Sequence, residues 1–530
     1  MKRVFTLLVI LFLAALTFSA APRNASARDI QVPLDQALVL AGGESTNPRT
    51  YDPATTHGSG DKRVFSGLVS FDPRLNLIPD IAETWDISPD GTVYTFHLRT
   101  NARFHNGRAV TAQDFIYSWE RAASPATASD TVMNYLGDIV GVAEMNAGNA
   151  DHIAGLKALD DHTLQVTINA PKPYFPMKLT YATAFVVDQA NVESSEEWYR
   201  TPNGTGPYKL VEWIPFERIV YERNADFYLG APSIPYVVVN LYTGVGIRLY
   251  EAGDIDITGV PLYATDRFTD PTEPMQKELI SGVTLCTSYV VFDVTQPPFD
   301  DLNVRKAFSM AFDRQKYMEV VLQNRALPAI GPYPPGMPGF NIHLNGLSHN
   351  PEEARRLLAE SKYGDAEGLP PIVFTDAGIG SYVSSDVAAM VQMWQQTLGV
   401  TITVENLEPN FYLEQVYAGN HGQLLSSGWC ADYPDPENFA DVLFHTGSSQ
   451  NSGNYSNPEL DFLLEQARVE QNVTKRIALY QQAEQMIVDD AVVLFTTHSL
   501  SFELVKPYVK GYVFTPIDIP IERYMWLEGK

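Results

Sequence analysis

The stretch Gly428-Trp429-Cys430-Ala431-Asp432-Tyr433-Pro434-Asp435-Pro436 decides how this chain is read. It sets a flat aromatic ring, a cysteine and a carboxylate side by side, and two prolines then stiffen the exit. Only one other cysteine, Cys286, occurs in the 530 residues. Taken by itself, Asp432 is a turn-forming acid beside Tyr433-Pro434. The segments lying outward from it change that reading.

The N-terminus sets the compartment. Lys2 and Arg3 precede an almost wholly apolar run from Val4 to Ala21, and small residues follow at Ser19-Ala20-Ala21 and Ala25-Ser26-Ala27. This is the pattern of a secretory signal peptide, residues 1–27, with cleavage expected after Ala27 or else after Ala20. The alternative is an uncleaved membrane anchor, since the run approaches spanning length. No cysteine is present there to carry a lipid. An extracytoplasmic location is expected either way.

The remainder has no second apolar run of spanning length and is too long for one core, so two or three lobes are expected. Its 45% hydrophobic content is that of a globular chain. The net charge of −26 becomes −29 when the leader takes away Lys2, Arg3 and Arg23 and no acid. Such a surface repels phosphate backbones, which argues against nucleic-acid binding. Cys286 and Cys430 stand 144 residues apart. Export makes a disulfide the expectation, with two buried free thiols as the alternative.

Helical and strand patterns alternate along the chain, which indicates a mixed α/β protein. Tyr94, Phe96 and Leu98 alternate with Thr95 and His97 as in a strand with one buried face, and Asn106-Gly107 makes a turn. Thr111 with Asp114 reads as a helix start, with Phe115 and Trp119 on one face. Further apolar stripes run over Val304, Ala307, Phe308, Ala311 and Phe312, and over Val387, Met390, Val391, Trp394 and Leu398. Asn350-Pro351 and Asn457-Pro458 begin helices, Gly399 ends one, and Thr401 to Val404 forms a strand directly after it. These stripes read as core packing.

Several segments then resemble, in order, a known family. They include Phe65-Ser66-Gly67-Leu68, Pro79-Asp80-Ile81-Ala82-Glu83-Thr84-Trp85, Tyr94 to Arg99, Val110 to Phe115, Asn203-Gly204-Thr205-Gly206-Pro207-Tyr208, Gly253-Asp254-Ile255-Asp256 and Leu504-Val505-Lys506-Pro507. Together with the Trp429-Cys430-Ala431-Asp432 run, they resemble the extracytoplasmic solute-binding proteins of peptide ABC importers, solute-binding family 5. The resemblance covers essentially the whole mature chain. It implies a bilobal α/β periplasmic-binding-protein fold (type II, cluster C) with an additional domain and a cleft that closes by a hinge. One lobe would comprise 28–62, 188–285 and 500–530, the additional domain 63–187, and the second lobe 286–499. The resemblance also implies a disulfide between Cys286 and Cys430.

The resemblance assigns Asp432 to the ammonium of a bound peptide, as a charge-assisted hydrogen bond. Trp429 would be a flat apolar wall, with Cys430 and Tyr433 beside it. The loop Thr55 to Gly60 matches a cleft-facing loop by order, so Gly58 and Ser59 are candidates for bonds to a peptide backbone; the alternative is a plain glycine turn. One departure stands out. The family's best-known members hold peptide C-termini with arginines before this tryptophan, whereas Phe411 to Gly428 contains no Arg or Lys. His421 lies there as a candidate to hold that carboxylate, although it reads first as a surface-loop histidine.

Other chemistries lack their signatures. There is no His-Glu-x-x-His, Gly-x-Ser-x-Gly or phosphate-binding Gly-Lys-Ser/Thr motif, so no catalytic residue is named. The histidines show no metal-ligand spacing, and Asp432, Asp435 and Glu437 are interrupted by prolines where a calcium loop needs a flexible turn. No metal or cofactor is implied. The expected partners are a peptide ligand and the importer's membrane permease, for a monomeric receptor. The alternatives are a same-fold receptor for an oligosaccharide, opine, haem or chelated metal, and a secreted peptide hydrolase.

Overall fold

A computed structural model describes residues 30–42, 48–57, 60–241, 243–378 and 382–530. The leader at 1–27 and the candidates Gly58 and Ser59 lie outside the described residues.

Local signals act where the sequence places them. The Asp114 carboxylate accepts the Thr111 backbone N–H at 2.8 Å and closes the start of the helix Ala112–Ala123. Asn350 accepts from Glu353 N–H at 3.1 Å, and Asn457 from Glu459 N–H at 2.9 Å, ahead of Pro351–Glu360 and Pro458–Val469. Gly399 ends Ser385–Leu398 in the left-handed region at φ 76°, which costs a glycine no Cβ clash. Tyr94, Phe96 and Leu98 are all buried in the strand Val93–Leu98.

Among the described residues, eleven strands join one mixed sheet. Its spine is a pair of long antiparallel strands, Leu279–Phe292 and Val493–Val505. At one end of this pair, Ile257–Gly259 pairs with Val493–Val505, and beyond it lie Ala37–Ala41, Tyr236–Asn240, Arg218–Arg223 and Tyr208–Ile214. At the other end Leu424–Cys430 pairs with Leu279–Phe292, followed by Ile372–Ala377 and Ile402–Leu407. The register of the long pair runs Val283↔Leu500, then shifts before Thr287↔His498. The ladder is interrupted between the two halves of the sheet, as in a bulge that bends a strand.

The cores follow the same division. One cluster joins Leu38, Tyr51, Phe65, Tyr221, Val237 and Val505. Another joins Val290, Phe308, Phe374, Trp394 and Leu494. A four-stranded antiparallel sheet, ordered Ala82–Ile87, Val93–Leu98, Thr163–Thr167 and Leu156–Asp160, carries the helix Ala112–Ala123. That unit has its own core around Phe96, Phe115, Trp119 and Val166.

Candidate ligand-binding cleft

The cysteines are direct partners in the sheet. Cys286 lies opposite Cys430 in the antiparallel ladder, and their sulfurs are bonded at 2.07 Å. This places the crosslink at the last pair of Leu424–Cys430, so the chain leaves the sheet at a fixed point. Ala431 and Asp432 follow at once and enter the wall of a cavity of about 610 Å³. The opposite wall comes from residues far away in sequence: Leu40 to Gly42, Gly60 to Arg63, Ile219, Tyr221, Val239 and Leu241, with Tyr181–Ala182 and Ile517–Pro520 completing it.

Asp432 keeps part of its surface open to this cavity. Its Oδ2 accepts the Tyr135 hydroxyl at 2.6 Å and the Asn438 amide Nδ2–H at 3.3 Å, while its backbone N–H donates to Asn438 Oδ1 at 2.9 Å. Among the described residues no cation forms an ion pair with Asp432. Burial raises its carboxyl above the ordinary value, opposed by the bonds from Tyr135 and Asn438 and by the charges of His57 and Lys62. Asn438 also accepts the Trp429 indole N–H at 3.2 Å, so one buried amide fixes both candidates.

An aromatic group surrounds the carboxylate. Tyr135 and Tyr181 stack with centroids 3.6 Å apart, and the Tyr181 hydroxyl meets His57 Nδ1 at 2.9 Å. His57 stands edge-on to Trp429 at 6.3 Å. Burial lowers the imidazole below its ordinary value, with Asp432 and Asp130 pulling it back up.

The far wall carries a buried network of charges. Arg63 donates to both oxygens of Asp61 at 2.9 and 2.8 Å and reaches Glu522 at 3.4 Å. Burial works against ionising Asp61, yet Arg63 and the Tyr221 hydroxyl, at 2.7 Å, hold its carboxyl below the ordinary value. The glycine turn at 203–208 explains why this segment sits so close. Thr205 and Gly206 N–H both donate to Val64 O, and Tyr208 N–H to Arg63 O. A Cβ at Gly204 would come within 2.0 Å of Val64 O, so only glycine allows the approach.

The sequence candidates therefore separate. Asp432 lines the cavity, and Trp429 stands beside the aromatic group. Cys430 is in the disulfide. Tyr433 is buried in the core, where its hydroxyl donates to Glu437. The neighbouring acids are committed elsewhere: Asp435 holds Arg476 by two bonds at 2.7 and 2.6 Å, and Glu437 lies 3.6 Å from Lys178. Burial raises the Glu437 carboxyl to about 7 against the charge of Lys178. Sequence reasoning missed Tyr135, Tyr181, Asn438 and Lys62. Only Asn438, shortly after Asp432, carried a local signal. No group of three or more His, Cys, Asp or Glu suited to a metal exists among the described residues.

Residues 76–451 match the family described as "Bacterial extracellular solute-binding proteins, family 5 Middle". This chain belongs to that family. It is 31% identical over 516 residues to the periplasmic oligopeptide-binding protein OppA of Escherichia coli K12, covering 94% of each chain. Its fold matches the E. coli murein tripeptide binding protein MppA with a TM-score of 0.81, at 29% identity over 93% of this chain and 98% of that one. Against the unliganded open form of MppA the score falls to 0.71. Haemophilus influenzae OppA in complex with the peptide RPPGFSPFR gives 0.80, at 28% identity over 94% of this chain and all of that one. The chain thus has the bilobal periplasmic-binding architecture. Among the described residues no helix is long and apolar enough to cross a membrane.

Proposed function

We propose that this protein is the extracytoplasmic receptor of an ABC importer. It captures peptides between its lobes and hands them to the membrane permease. The carrying observation is Asp432: both side-chain hydrogen bonds fall on Oδ2, and among the described residues nothing bonds Oδ1. A partly desolvated carboxylate open to a cavity and without a cation is suited to the ammonium that every free peptide carries. The aromatic group beside it tolerates varied side chains, because a ring face makes few directional demands.

Closure turns on the long strands. The lobes pivot where the ladder shifts register, between Val283 and Thr287 on one strand and Leu500 and His498 on the other. This supports lobe boundaries near 285 and 499, with the unit at 63–187 as the additional domain. The receptor works as a monomer and retains peptides without cutting them. The test is incubation of the pure protein with labelled peptides, followed by mass spectrometry. Stoichiometric retention of intact peptide is expected, whereas turnover or no retention refutes the reading.

A further inference from the structure

The absence of arginine before Trp429 leaves open what meets a ligand's carboxylate, and the cavity wall supplies an answer. Among the described residues its charged members are Asp61, Lys62, Arg63, Asp432, Asp518 and Glu522. Arg63 is committed to Asp61 and Glu522. Asp518 is exposed, and its backbone carbonyl, not its carboxylate, accepts the Lys62 ammonium at 2.7 Å. Lys62 has no carboxylate within ion-pair distance among the described residues. An ammonium has three donors, so two remain for a ligand. Among the described residues the cavity thus holds one cation and one enclosed carboxylate without ionic partners, brought in from opposite lobes. They are near enough for Lys62 to draw down the Asp432 carboxyl.

The position of Lys62 is built in. It lies between Asp61, which takes Arg63 and Tyr221, and the backbone of Arg63 and Val64, which is clamped by the glycine turn. Its backbone therefore enters the cleft at a fixed place, and the side chain reaches the Asp518 carbonyl from there.

We propose that Lys62 holds the carboxylate end of the ligand, so that the cleft takes short zwitterionic peptides with the amino end on Asp432 and the carboxyl end on Lys62. This rests on the peptide reading above and assigns the end that reading left open. A volume of about 610 Å³ suits a short ligand, within the range of roughly 300–1,000 Å³ usual for small-molecule sites.

The test uses an equimolar pool of free tripeptides and the same pool amidated at the C-terminus, with retention on the mature protein read by mass spectrometry. Wild type should retain the amidated pool roughly ten- to a hundredfold less, the worth of one charge-assisted bond. Lys62→Met should retain the two pools equally, at the lower level. Lys62→Arg keeps the charge and should restore the preference, which separates lost charge from lost folding. If wild type retains both pools equally, or the preference survives in Lys62→Met, the lysine anchor is wrong and the peptide reading stands. If wild type retains neither pool, the peptide reading falls and takes the anchor with it.

Discussion

Replacing Asp432 by Asn tests the ammonium site with little disturbance of the fold. Oδ2 accepts from both Tyr135 and Asn438. An asparagine carbonyl oxygen at the same point keeps both bonds, and its NH2 takes the place of Oδ1. The variant then presents a donor where the ligand presents another donor. Loss of one charge-assisted bond is worth about 1.5–3 kcal/mol, or roughly ten- to a hundredfold in Kd. Calorimetry with a retained tripeptide and its N-acetyl derivative should show that penalty twice: for acetylation in the wild type, and for the free peptide in Asp432→Asn. The acetylated peptide should lose little more in the variant. Burial holds the Asp432 carboxyl above its ordinary value, so free-peptide affinity should fall as pH drops through that raised value. The same burial cost is relieved by Asn, so the ligand-free variant should melt no lower than wild type at neutral pH. Equal loss of both peptides on mutation, or a free peptide that binds the variant within twofold of wild type, refutes the argument.

Further outcomes are expected elsewhere in the molecule. Reducing Cys286–Cys430 opens a crosslink between positions 144 residues apart, which the chain-entropy model values at about 4–5 kcal/mol as an upper figure; the urea midpoint should fall on reduction, and an unchanged midpoint refutes it. Glu484 is buried, its Oε2 has no partner among the described residues, and burial lifts its carboxyl from 4.5 to about 8. The folded state therefore binds the extra proton, and stability from this group is lost as pH rises from about 4.5 to 8. Glu484→Gln should stabilise the protein more at pH 8 than at pH 5, as read by urea unfolding at both; equal effects count against it. Small-angle scattering should show compaction when a retained tripeptide is added, and no change with bound peptide argues against hinge closure.

Much of the architecture was legible locally. Helix starts at Thr111, Asn350 and Asn457 and the stop at Gly399 are written in side chains that bond their own backbone or permit a positive φ, so neighbours in sequence suffice to decide them. The turn at Asn203 to Tyr208 was also visible. What it is for was not, since its partner is the backbone near Val64.

The site divides the same way. The sequence alone placed a carboxylate after Trp429-Cys430-Ala431 and left Asp432, Asp435 and Glu437 as three similar acids in a row. Only the tertiary structure tells them apart. Asp435 is committed to Arg476, and Glu437 is buried against Tyr433 and Lys178. Asp432 receives Tyr135 from 297 residues away and keeps one oxygen for the cleft. The state of a charge depends on what surrounds it within a few ångströms, and in this fold those surroundings come from distant parts of the chain. Lys62 is the same case from the other wall: its type is plain in the sequence, but which groups face it is decided only by the folded chain.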